Sequence, residues 1–192
     1  MKNMWIVLLV ILGLSGGMVG WGVLTANHLV DLDEGVKEKW SQVENVYQRR
    51  LDLIPNLVNT VKGYAKHEAQ VLEEVTRARA QVGQVRVNSA KSLTDFDQAQ
   101  GQLSQALSHL LVVSEKYPEL KADKNFLELQ SQLEGTENRI SVERMRFNEA
   151  ARDYNSYLRH FPQSVVAGFR GFVPRPYFQS EAPAKAAPQV QF

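Results

Sequence analysis

The stretch "NVYQRRLDLIPNLVNTVK", residues 45–62, places Arg49, Arg50 and Asp52 between apolar turns of a helical repeat, with Pro55 just beyond. Arg50 falls on the apolar track between Tyr47 and Ile54. Three more charges interrupt such tracks: Glu68 between Ala65 and Leu72, and Glu137 and Arg144 farther along the chain. A charge on a buried track is tolerable only beside a partner of opposite sign. The first chemistry these residues imply is ion pairing between facing helices, which would set helix register. The same groups converging in a cleft would instead bind a small ligand or serve acid–base chemistry, and the residues alone leave that alternative open.

Other chemistries find little support. The 192 residues contain no cysteine, which excludes disulfides, thiolate metal sites, a thiol nucleophile and an acylated lipoprotein cysteine. His28, His67, His109 and His160 stand alone, and no Glu-x-x-His pair is present to build a di-iron bundle core. Ser41, Ser114 and Ser141 have no recognisable base or oxyanion motif around them. "GLSGG", residues 13–17, sits in an apolar run without the lysine and hydroxyl of a phosphate loop. No catalytic, cofactor-binding or metal-binding residue is expected, and no cofactor. Arg77, Arg79 and Arg86 read as a solvated basic edge. A formal net charge of +1 gives no long-range attraction to nucleic acid, which is not expected as a partner.

The elements that must carry these residues are helical. After the short basic start at residues 1–3, Met4 to Ala26 is free of charge. At about 1.5 Å per residue it crosses a hydrocarbon core of roughly 30 Å, with Trp5 and Trp21 near its ends. Residues 4–26 are therefore expected to be a transmembrane helix in the bilayer, retained rather than cleaved: Leu24 is large for a cleavage motif and the apolar run exceeds a signal core. Gly13–Gly17 and Gly16–Gly20 have the spacing that seats a partner helix, so self-association is one expectation. Lys2 on one side and Lys37 and Lys39 on the other nearly balance; the very short leading segment favours the amino terminus inside and the domain outside the cytoplasm.

From Leu29 the apolar residues recur in steps of three and four through Val36, Trp40, Val43, Tyr47, Ile54, Val61, Leu72 and Val75. This predicts one long helix face ending near Gly83, with Pro55 as a dividing point. A second helix is expected from about Asp95 to Tyr117, capped by Ser92 or Thr94, and ended by Pro118. A third starts at Asp123 or Asn125, carries Phe126, Leu129, Leu133, Ile140, Phe147, Ala151, Tyr154 and Leu158, and closes at Phe161-Pro162. Residues 163–178 add a short helix and an apolar arm. Phe161, Phe169, Phe172, Tyr177 and Phe178 are read as packing, with lipid or protein contact as the alternative. The expected fold class is all-α: an N-terminal transmembrane helix followed by an antiparallel three- or four-helix bundle with long helices. Residues 27–178 form the helical domain and 179–192 a proline-rich flexible tail.

Three segments carry a resemblance: Trp40 to Glu68 with "SQVENVYQRR" and "LDLIPNLVNTVKGYAKHE", Ser114 to Ile140 with "SEKYPELKADKNFLELQSQLEGTENRI", and Phe161 to Phe172 with "FPQSVVAGFRGF". Together they resemble the LemA family of bacterial proteins, in the family's order and over nearly all of the chain after the anchor. The family pattern places Arg49, Arg50 and Asp52 before Ile54-Pro55-Asn56-Leu57, and Glu134, Glu137, Asn138 and Arg139 on a later helix. Leu51 stands where alanine is common and Phe147 where tyrosine is common. The resemblance implies a single N-terminal span in the bacterial cytoplasmic (inner) membrane and a helical-bundle domain, with no defined reaction. Some relatives are associated with magnetosome membranes, others with membrane proteins or proteases.

Two function classes follow. The first is a non-enzymatic membrane-anchored interaction or membrane-organising protein with a membrane or envelope protein as partner; Arg49, Arg50, Asp52, Glu68, Glu134, Glu137, Asn138, Arg139 and Arg144 then form a structural or interaction network. The second is a small-ligand receptor or enzyme using an interhelical polar cleft. A regulator of a membrane protease is a further alternative, drawn from the resemblance alone.

Overall fold

The computed structural model of the chain describes residues 2–87 and 89–179. Among them the fold is all-α: α1 (Lys2–Tyr64), α2 (Ala69–Gln84), α3 (Ala90–Ser114), α4 (Pro118–Lys121), α5 (Lys124–Arg159) and α6 (Gln163–Arg170). The expected tail lies outside the described residues apart from Gln179.

The apolar start of α1 is exposed from position 3 through Leu24, except for half-buried Gly22, and is long and apolar enough to cross a membrane. Burial begins abruptly at Thr25 and Ala26 and then follows the predicted stripe through Leu29, Val36, Val43, Tyr47, Ile54, Leu57 and Val61. The helix runs from the apolar segment to Tyr64 without interruption.

The division of the first long helix is not at Pro55, which lies inside α1, but at Ala65–Glu68. Pro55 withholds an amide hydrogen from Leu51, yet its fixed φ suits a helix. The helix stops just after Gly63, a weak helix former, and polar ties hold the turn that follows. Tyr64 donates its hydroxyl hydrogen to Asp123 Oδ2 at 2.9 Å, and Tyr117 donates to Glu68 Oε1 at 3.0 Å.

The second predicted helix begins earlier than expected. Ser89 caps α3, accepting from the Ser92 amide at 3.1 Å, while the Ser92 hydroxyl accepts from the Ser89 amide at 2.9 Å. Ser92 is thus the inner half of a reciprocal capping box, and Thr94 bonds back to the Ala90 carbonyl. Pro118 opens α4, where its missing donor costs nothing. Asp123 accepts from the Phe126 amide at 2.9 Å and starts α5. Gly171, in the left-handed region at φ 73°, ends α6, with the Phe172 amide bonded to the Ala167 carbonyl at 3.1 Å.

The chain divides into two compact units, with α1 and α5 supplying segments to both. One consists of Met1–Gln42 and Arg146–Arg175. There α1 and α5 pair antiparallel, with Trp40 edge-on to Phe147 at 5.6 Å and His28 edge-on to Tyr157 at 4.6 Å between ring centres. The other consists of Val43–Met145 and Pro176–Phe192. It is an up-and-down bundle of the second half of α1, α2, α3 and the first part of α5, around Ile54, Leu57, Val75, Leu103, Leu110 and Phe126.

Candidate functional site

Arg50 is the one residue of the opening charge cluster that enters the core. Its position between Tyr47 and Ile54 on α1 turns it inward, and it is only 5% exposed. Nη2 donates to Ser104 Oγ of α3 at 2.9 Å and lies 3.1 Å from Glu137 Oε2 of α5. The ion pair expected across facing helices is therefore present. It is asymmetric, since the Glu137 side chain is 54% exposed. Arg50, Ser104 and Glu137 also line a groove of about 290 Å³, together with Leu57, Leu107, Leu111 and Leu133 and the polar Ser108, Gln130 and Glu134. A fixed guanidinium among leucines suits an anionic group on an apolar body, provided Glu137 moves aside.

Arg144 is a second hub. It pairs with Asp97 of α3 through Nη1 at 2.9 Å and donates from Nη2 to the Gln179 carbonyl at 3.1 Å. Its guanidinium carbon stands 4.5 Å from the centre of the Phe178 ring, which is buried. Tyr47 packs edge-on against Phe96 at 4.9 Å in the same region, and its hydroxyl is buried beside this pair. Burial pushes the Tyr47 pKa up to about 12, with the nearby Arg144 charge opposing the shift.

The remaining candidates make no bond to these clusters, and of them only Glu134 lines the Arg50 groove. Arg49, Asp52, Glu134, Asn138 and Arg139 are on exposed faces. Asp52 accepts from Gln48 one turn back at 2.8 Å, and Glu134 from Gln130 at 3.0 Å. These are local surface bonds of small energetic weight. Glu68 is half-buried at the turn before α2, bonded to Tyr117, and so is a joint residue rather than a member of an inward track. Arg79 is not part of a solvated edge: its Nε donates to the Leu51 main-chain carbonyl at 2.8 Å. The aromatic series also divides. Phe178 is buried and Phe172 half-buried, whereas Phe161, Phe169 and Tyr177 are exposed. No group of three metal-ligating side chains is found among the described residues.

The model of the LemA family matches residues 39–192. The chain belongs to the LemA family. Among its relatives, magnetosome protein MamQ 2 of Paramagnetospirillum magneticum is 26% identical over 188 residues, covering 85% of this chain and 68% of that protein. Magnetosome protein MamQ of Magnetospirillum gryphiswaldense is 27% identical over 188 residues with the same coverage. Protein LemA of Metamycoplasma hominis is 22% identical over 141 residues, 73% of this chain and 63% of that protein. With the long apolar start of α1, these relationships mark a membrane-associated protein.

This LemA-family chain holds a further polar network, centred on Asp33 and Arg175. Asp33 is 9% exposed, and its Oδ1 accepts from Arg175 Nε at 2.8 Å and Nη2 at 2.6 Å. Lys37 Nζ lies 3.1 Å from Asp33 Oδ2. Asn155 grips the same arm by its backbone: the Arg175 amide donates to Asn155 Oδ1 at 2.7 Å, and Asn155 Nδ2 donates to the Arg175 carbonyl at 2.8 Å. Tyr154 donates to the Val173 carbonyl at 3.0 Å. Together these bonds clamp the segment after α6 to α1 and α5. Asp33 sits one turn after Leu29 on the inward stripe, the same signal that exposed Arg50. Its partner is 142 residues away, between Pro174 and Pro176, with no periodicity to announce it.

Proposed function

We propose that this LemA-family chain is a non-enzymatic scaffold, held by the span at 4–26 in the bacterial cytoplasmic membrane, whose bundle presents helix surfaces to a membrane or envelope protein. The observation that carries this is the assignment of the inward charges. Arg50 is bound to Ser104 and Glu137, Arg144 to Asp97, and Asp33 to Arg175, so each serves to fix helices or the arm. The MamQ relatives, named as magnetosome proteins, support a membrane-organising role. In-cell photocrosslinking from exposed Val112, Leu127 and Met145 tests the reading. Discrete adducts with one or a few membrane proteins are expected; adducts with no protein at any of the three positions would sink it.

Topology belongs to the same proposal, with the amino terminus inside and the domain outside the cytoplasm. A protease added to intact spheroplasts should remove the tail after Gln179. Removal only after lysis would reverse the orientation.

The Arg50 groove favours a second reading, a receptor for a small anionic molecule with an apolar body. Its volume is at the lower end of ligand pockets. Native mass spectrometry of the protein extracted from membranes distinguishes the two: a bound small molecule that is lost in Leu107→Trp, which fills the groove, would favour the receptor.

A further inference from the structure

Within the unit formed by Met1–Gln42 and Arg146–Arg175, one apolar face has no covering element among the described residues. Phe161 is 83% and Phe169 89% exposed, with Val165 between them also exposed. The four-residue spacing puts Val165 and Phe169 on one face of α6, and Phe161 is exposed in the elbow, residues 160–162, that leads into it. Ala167 is buried on the opposite side, so the orientation of α6 is fixed by packing. Single exposed apolar residues are ordinary, but two on one face of a short amphipathic helix with a third in the turn that leads into it are not.

The register of α1 against α5 says where this face lies within its unit. From Trp40–Phe147 to His28–Tyr157, α1 descends as α5 advances. The last two residues of α5, ending at Arg159, continue this register to the level of Ala26. There burial of α1 begins and its exposed apolar segment ends, with Val23 and Leu24 still bare. The elbow therefore emerges at the level where the span meets water. Arg159, His160 and Arg170 are exposed around it, a basic rim to an aromatic face.

We propose that Phe161, Val165 and Phe169 insert into the interfacial layer of the bilayer that α1 spans, with Arg159 and Arg170 against anionic headgroups. Aromatic side chains rimmed by basic ones have the composition of interfacial helices, and continuity with the span keeps this face at the lipid surface. The elbow is thus a second attachment that limits tilting of its unit about the span. The inference rests on the reading of residues 4–26 as a retained transmembrane helix.

The chain has no cysteine, so single labels can be placed without background. The probe is an environment-sensitive fluorophore on Val165→Cys, Phe169→Cys, Leu24→Cys or Val112→Cys, in the full-length protein in nanodiscs of phosphatidylcholine and phosphatidylglycerol. Labels at 165 and 169 should be quenched by nitroxide lipids and be several-fold less accessible to iodide than the label at 112. A label at 24 in lipid with one at 169 as open to iodide as that at 112 overturns the inference and leaves the span standing. A label at 24 that is itself open to iodide removes the span, and the inference with it. Shielding of 169 from iodide without lipid quenching assigns the face to protein contact and also overturns the proposal. Because these side chains are already exposed, labelling does not threaten the fold, which circular dichroism of each variant checks.

Discussion

Arg79 Nε on α2 donates at 2.8 Å to the main-chain carbonyl of Leu51 on α1, the acceptor that Pro55 leaves without its helical donor. A proline inside a helix removes one i to i−4 bond, and a carbonyl shut away from water without a partner is costly. Here the missing amide is replaced from the neighbouring helix, which lets α1 run past Pro55 and ties α2 to it.

This relationship predicts coupling. Arg79→Ala should destabilise the protein by about 1 kcal/mol, the loss of one hydrogen bond to a part-buried acceptor. In a Pro55→Ala background, where the residue 55 amide can bond to Leu51, the same change should cost markedly less. A double-mutant cycle from urea unfolding measures the difference. Additive costs would mean that Arg79 does not replace the helical donor.

The Arg50–Glu137 pair has its own signature. Glu137→Ala leaves a guanidinium buried with Ser104 alone, and should cost about 1–2 kcal/mol, reduced from the value for fully buried pairs because Glu137 is more than half exposed. Arg50→Met replaces the charge with apolar volume and should be close to neutral. In that background Glu137→Ala should cost nothing measurable. Equal costs of Glu137→Ala in both backgrounds would show that the ion pair does not stabilise the bundle.

Release of the arm is a separate event. Arg175→Ala removes both hydrogen bonds to Asp33 Oδ1, and should speed hydrogen exchange across residues 172–179 far more than it lowers global stability. Asn155→Leu, which removes both bonds to the Arg175 backbone, should do the same. Unchanged protection of this segment in both variants would contradict the clamp.

Tyr47 gives a pH dependence with a definite sign. Its pKa is about 12 in the folded protein and about 10 when unfolded. Below about pH 10 the hydroxyl is neutral in both states and stability is undiminished. As pH rises from there towards 12 the unfolded chain ionises first, so stability falls by an amount of order 2–3 kcal/mol. Tyr47→Phe should lose less stability over this range, read from urea midpoints at pH 9 and pH 11.5. Parallel losses in the two proteins would show that the hydroxyl is not held neutral by burial.

The sequence by itself determined the all-α class, the apolar segment of 4–26, the stripes of α1, α3 and α5, and the inward position of Arg50. Each is written in local periodicity, which a helix converts directly into a face. Tertiary structure decided what those faces meet. The spacing that singles out Arg50 also singles out Asp33, but only folding brings Ser104 and Glu137 to one and Arg175 to the other. Arg79 illustrates the limit most clearly. Pro55 announces a missing bond, while the donor that replaces it sits 28 residues away on a helix whose own pattern makes that side chain look solvated. Likewise, Phe178 and Phe169 are alike in type and near in sequence. One is covered by Arg144 and the other left bare, because burial depends on which element arrives opposite a side chain rather than on the side chain itself.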